Sequence, residues 1–131
     1  MLGFSDHKFA LVVHREMTML SALQNAFARR GFTVITARDL PTSLLAITQH
    51  HFDAALISAN IAERGDGFPL AGIMQRIFPE ARVCVVSISV DVPELLSAIN
   101  SGVHKLVDVH SGDADSLVES ALMFSPPSGQ V

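Results

Sequence analysis

The chain has 131 residues, 49% of them hydrophobic and 17% charged. That length fits one domain able to bury its own core, and the lone cysteine, Cys84, excludes an internal disulfide framework or a cysteine-rich zinc site. A formal charge of -4 speaks against direct nucleic-acid binding, which needs a basic face. No apolar run reaches the about 18 residues of a membrane helix. The start, Met1-Leu2-Gly3-Phe4-Ser5-Asp6-His7, lacks the basic and apolar stretches of a signal peptide. The expectation is one cytoplasmic domain over residues 1–124. Residues 125–131, rich in Pro, Ser and Gly, read as a tail or the start of a linker.

Residues 9–13 form an apolar run, as expected of a strand covered on both faces of a parallel sheet. Leu20, Leu23 and Phe27 then recur at helical spacing, and Gly31 is a natural stop. Residues 32–36 make a second strand, and Thr33 and Thr36 suit an edge position. Asp39 followed by Pro41 opens a second helix, with Leu44 and Ile47 inward. Residues 54–57 are a third strand. A third helix carries Leu70, Ile73, Met74 and Ile77 and is closed by Pro79. Residues 83–86 are a fourth strand, with Cys84 as an inert core thiol. Asp91 with Glu94 three residues on resembles a capping box for a fourth helix. Leu95, Leu96 and Ile99 are expected to face the core, and Gly102 ends that helix. Residues 106–109 give a fifth strand. Asp113 or Ser111 caps a last helix carrying Leu117, Val118, Ala121 and Leu122. Met17, Met19, Met74 and Met123 fall mainly at helical positions and read as packing.

Five strands alternating with five helices predict an α/β, flavodoxin-like (βα)5 three-layer sandwich. The parallel sheet is expected in the order 2-1-3-4-5, with the second strand at an edge. Ligands of such sheets sit at the carboxyl ends of the strands. That points to His14, Arg15, Ser58, Ser87 and the residues after Val107.

Several motifs then line up in order. They are Leu11-Val12-Val13 with a polar pair after it, Gly31-Phe32-Thr33-Val34, Phe52-Asp53-Ala54-Ala55-Leu56-Ile57 and Asp66-Gly67, which opens the third helix. Pro79-Glu80-Ala81-Arg82-Val83 and Ala98-Ile99-Asn100-Ser101-Gly102-Val103 follow. Together they resemble a bacterial two-component response-regulator receiver domain over roughly residues 8 to 123. The resemblance implies an acyl-phosphate switch. An acidic pair after the first strand and an Asp ending the third hold Mg²⁺ through oxygen. A Ser or Thr ends the fourth strand and a Lys ends the fifth, and the cations neutralise the phosphoryl group.

On this chain the acidic pair falls on His14 and Arg15, the acceptor on Ser58 and the Lys on Val109, with His110 for the Pro after it. Only the Ser/Thr position is kept, as Ser87. The loop from Ser58 to Gly67 is one residue longer than usual, and the aromatic position of the fifth strand is Leu106. A serine cannot form an aspartyl phosphate, and Arg15 repels a cation. The resemblance therefore implies a degenerate pseudo-receiver without a Mg²⁺ site or any other cofactor. It implies a non-enzymatic, phosphorylation-independent module that acts on a protein partner or an attached output domain. Homodimerisation through the face of the fourth helix, fifth strand and fifth helix is a further expectation from the family.

Other readings stay open at this point. Arg15, Ser58 and Ser87 are a candidate anion contact for a small-anion or nucleotide-binding module. Arg15 is alternatively a resident cation, or pairs with a loop acid such as Asp66. A receiver still phosphorylatable at a non-standard site is another alternative. His14 is a candidate proton sensor. A metal site is not expected, because His50 and His51 diverge and His14, His104 and His110 lie on separate elements without ligand spacing. Ser58 lacks a nucleophile elbow, and no glycine-rich phosphate loop follows the first strand.

Overall fold

The computed structural model describes residues 7–103 and 105–123. His104, the domain boundary at 124 and the tail at 125–131 lie outside the described residues. The strands are β1 (Lys8–Val13), β2 (Phe32–Ala37), β3 (Ala54–Ser58), β4 (Arg82–Ser87) and β5 (Lys105–Asp108). The helices are α1 (Met17–Arg29), α2 (Leu40–Gln49), α3 (Gly67–Ile77), α4 (Val92–Ser101) and α5 (Ala114–Leu122). The sheet is parallel throughout, in the order β2-β1-β3-β4-β5. The expected class and strand order are thus observed. Among the described residues no helix is long and apolar enough to cross a membrane.

Successive strand residues point to opposite faces, so each central strand feeds two cores. Leu11, Val13, Ile57, Val83 and Val85 pack with Ile47, Leu70, Met74 and Ala98 under α2, α3 and α4. Ala10, Val12, Leu56, Cys84 and Val86 pack with Leu23, Phe27, Leu117 and Val118 under α1 and α5. Every residue of β3 is buried, whereas β2 is mostly half-exposed, as an edge strand should be.

The caps explain the helix boundaries. Asp39 accepts the Thr42 N–H, Asp91 the Glu94 N–H and Asp113 the Ser116 N–H. Asp113 therefore caps α5. Gly31 and Gly102 follow α1 and α4 with φ of +88° and +78°, conformations that favour glycine.

Several expectations need correction. Val109 is not in the last strand. It opens a short 3-10 turn, Val109–Ser111, because Asp108 accepts the His110 N–H and bends the chain. Leu44, Ile73 and Ile77 lie on the solvent side of their helices, as do Leu95, Leu96 and Ile99 of α4. The buried side of α4 is Glu94 and Ala98 instead. Met17 and Met123 stand at helix ends beyond the reach of the core and are exposed, while Met74 is fully buried.

Candidate functional site

The carboxyl ends of β1, β3, β4 and β5 open onto a cavity of about 350 Å³. His14, Arg15, Ser58, Ser87 and Val109 all line it, so the five positions singled out in the sequence are brought together. Glu16, Met19, Asn60, Val86, Ile88 and His110 complete the wall. A second cavity of about 380 Å³ adjoins it and shares Arg15, Asn60 and Ile88. Among the described residues, no three His, Cys, Asp or Glu side chains converge as metal ligands would.

Each polar group in this region has a definable role. Ser58 ends β3 and is buried; its hydroxyl donates to the Asn60 carbonyl at 2.9 Å and accepts the Asn60 N–H at 3.3 Å. The side-chain oxygen of Asn60 accepts the Gly65 N–H at 2.7 Å, which leaves its NH₂ as a donor. Asp66 accepts the N–H groups of Ile61, Ala62 and Glu63 at 2.6, 2.9 and 2.9 Å. Its partial burial raises the carboxyl pKa, but those amide bonds more than offset this and hold it below the ordinary value. Asp66 is consumed in shaping the loop, so the expected pairing with Arg15 does not form. Among the described residues Arg15 makes no ion pair. Its carbonyl is instead held by the Arg38 guanidinium at 3.0 and 2.7 Å.

His14 is half-buried, and its Nδ1 accepts the Glu16 N–H at 3.1 Å. The ring proton of the neutral form is therefore on Nε2. Burial lowers the His14 pKa, with Glu16 acting against this and Arg15 reinforcing it. Ser87 is buried at the end of β4; its hydroxyl accepts the Ser89 N–H at 3.1 Å and donates to the carboxylate of buried Glu94. Burial pushes the Cys84 thiol up to about 12, which agrees with an inert core thiol.

Glu94 is the functional neighbour that sequence reasoning misplaced. Half of a capping box is present, since Asp91 caps Glu94. The reciprocal half is absent, because the Glu94 carboxylate turns to Ser87. The available signal was that Glu94 and Ala98, four apart, share one helix face opposite the leucines. Asn60 was also missed, for it sits in an irregular loop where no periodicity applies.

Neither a protein-family model nor a curated protein sequence matches the chain. Solved structures do. A response regulator from Burkholderia pseudomallei, with a phosphorylated aspartic acid, calcium ion and citrate, superposes with a TM-score of 0.77 at 18% identity. The match covers 88% of this chain and 66% of that one. A CheY-like receiver domain protein from Methanospirillum hungatei gives 0.76 at 17% identity, covering 88% and 90%. A response regulator from Thermotoga maritima gives 0.72 at 21% identity, covering 87% and 93%. The chain therefore has the flavodoxin-like fold of response-regulator receiver domains.

Proposed function

We propose that the chain is an atypical receiver domain of a bacterial two-component or related signalling protein, acting through protein contacts and without phosphorylation. The observation that carries this reading is the composition of the cavity at the strand ends. Ser58 stands at the end of β3, His14 and Arg15 follow β1, and among the described residues the one carboxylate lining the cavity is the exposed Glu16. Of the nearby acids, Asp66 is occupied by loop amides, Glu94 by Ser87 and Asp108 by the His110 N–H. A hard divalent cation needs several converging oxygens, and this donor set does not fit Mg²⁺. Val109 adds no charge for a phosphoryl group. The Burkholderia pseudomallei protein carries a phosphorylated aspartic acid; the β3 terminus here offers a serine hydroxyl bound to its own loop. The module is regulatory rather than enzymatic, and its partner is a protein, either an attached output domain or a separate chain.

The test is intact-mass measurement after incubation with acetyl phosphate and Mg²⁺. No phosphoryl gain is expected. A stoichiometric gain lost in Ser58→Ala would overturn the reading in favour of phosphorylation at a non-standard site.

A second reading is favoured by the donors in the same cavity. His14, Arg15 and Asn60 line it and carry N–H donors, which suits a small oxyanion, whereas the hydroxyls of Ser58 and Ser87, expected beside Arg15 as anion contacts, already donate to the Asn60 carbonyl and to Glu94. Inorganic phosphate or sulfate raising the unfolding temperature of the wild type, but not of Arg15→Ala, would support that role.

A further inference from the structure

Glu94 is the one charged side chain among the described residues that is buried, at 5% exposed. It belongs to α4, and its carboxylate meets the end of β4, where Ser87 donates to Oε1. No donor of the described residues reaches Oε2, whereas every fully buried side-chain oxygen or nitrogen of those residues has a partner. Oε2 is therefore open, and it opens onto the cavity of about 380 Å³ that Glu94 lines. A carboxylate withdrawn from bulk water, with one oxygen unpartnered, calls for a cationic donor.

The rest of the cavity narrows what that donor belongs to. Arg15 lines it too, and its guanidinium makes no ion pair among the described residues. Asn60 adds a side-chain NH₂, since its oxygen is taken by the Gly65 N–H. The other charges stand at the mouth: Glu63 and Arg64 are exposed, and Arg64 is paired with Asp91 at 3.5 Å. One cavity thus holds a buried acceptor and a cation that do not pair with each other. A metal ion does not suit Glu94, because a single open carboxylate oxygen is not a coordination sphere. A guanidinium does not suit it either, because its planar fork matches two parallel acceptors. A primary ammonium, a compact point charge, fits one oxygen. The adjoining strand-end cavity, joined through Arg15, Asn60 and Ile88, offers apolar room beside Met19, Val86 and Val109.

We propose that the joined cavities bind a small zwitterion of the amino-acid class, its ammonium on the Glu94 carboxylate and its carboxylate on the Arg15 guanidinium and the Asn60 NH₂. An apolar side chain would extend toward Val86 and Val109. The inference rests on the reading of the strand-end cavity as an oxyanion site and names the ligand. It also gives that ligand a reach beyond the cavity. Arg15 follows β1 and Glu94 belongs to α4, so one molecule would tie the two elements together.

The experiment is titration of the full chain, followed by calorimetry and by amide chemical shifts. L-Leucine and γ-aminobutyrate are the zwitterions, and isocaproate and isopentylamine carry one charge each. Leucine should bind at least about tenfold more tightly than either one-charge analogue and shift the amides of Asn60, Ser89 and Leu95. Glu94→Gln, which keeps an acceptor for Ser87, should reduce leucine to the affinity of isocaproate. Arg15→Ala, at an exposed position, should reduce it to that of isopentylamine. Glu63→Gln, at the mouth, should change it by less than about twofold. Equal affinity of the wild type for leucine and isocaproate overturns the inference, as does leucine affinity that survives Glu94→Gln. Absence of binding by both zwitterions at about 10 mM also overturns it. The wild-type preference over the one-charge analogues decides the matter even where Glu94→Gln does not fold. Phosphate that stabilises the wild type while neither zwitterion binds overturns this inference and leaves the oxyanion reading standing.

Discussion

At the scale of single residues, the partner that each side chain finds at the strand ends sets its chemistry. His14 shows this most directly. Its Nδ1 is occupied by the Glu16 amide and its pKa is lowered mainly by burial, so the ring enters the physiological range neutral. The folded state binds its proton less readily than the unfolded chain. The stability that His14 contributes is therefore fully present above the unfolded value near 6.5 and is lost as pH falls through the lower folded value. Nitrogen chemical shifts should show the Nε2–H tautomer at pH 7 and a midpoint below 6.5, and His14→Gln should flatten the acid limb of the stability curve. A midpoint above 6.5 would reject the assignment. The identities of His14, Arg15, Ser58 and Ser87 were legible in the sequence because each sits at a strand end, which periodicity locates. Their partners were not. Asn60, Glu94 and the Asp66 amide cluster depend on loop paths and helix rotation, which apolar spacing does not encode.

Elements carry the next set of constraints, and the junction of β3 with α3 is the tightest. Gly67 begins α3 directly over the end of β3, where its N–H bonds the Ala59 carbonyl at 3.0 Å. A Cβ there would lie 1.8 Å from the Ser58 carbonyl oxygen, a clash with backbone that no side-chain rotation relieves. Gly67→Ala should therefore cost roughly 3 kcal/mol or more in denaturant unfolding, at or beyond the usual overpacking range. It should also displace the Ser58 loop, visible as shifted amide resonances of Ala59 and Asn60. Retention of wild-type stability would show that α3 can move off the strand freely. The sequence did mark Asp66-Gly67 as the start of a helix, yet a helix start alone does not reveal a close approach. The same distinction explains α4. Leu95, Leu96 and Ile99 do share one face, but it is the outer one rather than the expected core face, because spacing gives a face and not the side on which the core lies.

Across the whole molecule, the topology was the most legible feature. Three strands are continuous apolar runs, alternation of strand and helix enforces parallel pairing, and right-handed crossovers leave few orders. What the pattern could not supply is how the apolar residues divide between the two cores and the outside. The division has a measurable consequence. Phe27, on the inner face of α1, is fully buried and touches Phe32 edge-on with ring centroids 5.4 Å apart. Truncating it leaves a cavity between α1 and the sheet, and Phe27→Ala should cost about 3–5 kcal/mol. Ile99 is comparably apolar but 71% exposed. Ile99→Ser should change the stability of the monomer by about 0.5 kcal/mol or less, because little area is withdrawn from water there. Denaturant unfolding of both variants at low protein concentration, where association does not contribute, separates the two cases. A loss of several kcal/mol for Ile99→Ser would mean that α4 turns its stripe inward and that the fourth helix closes the core after all.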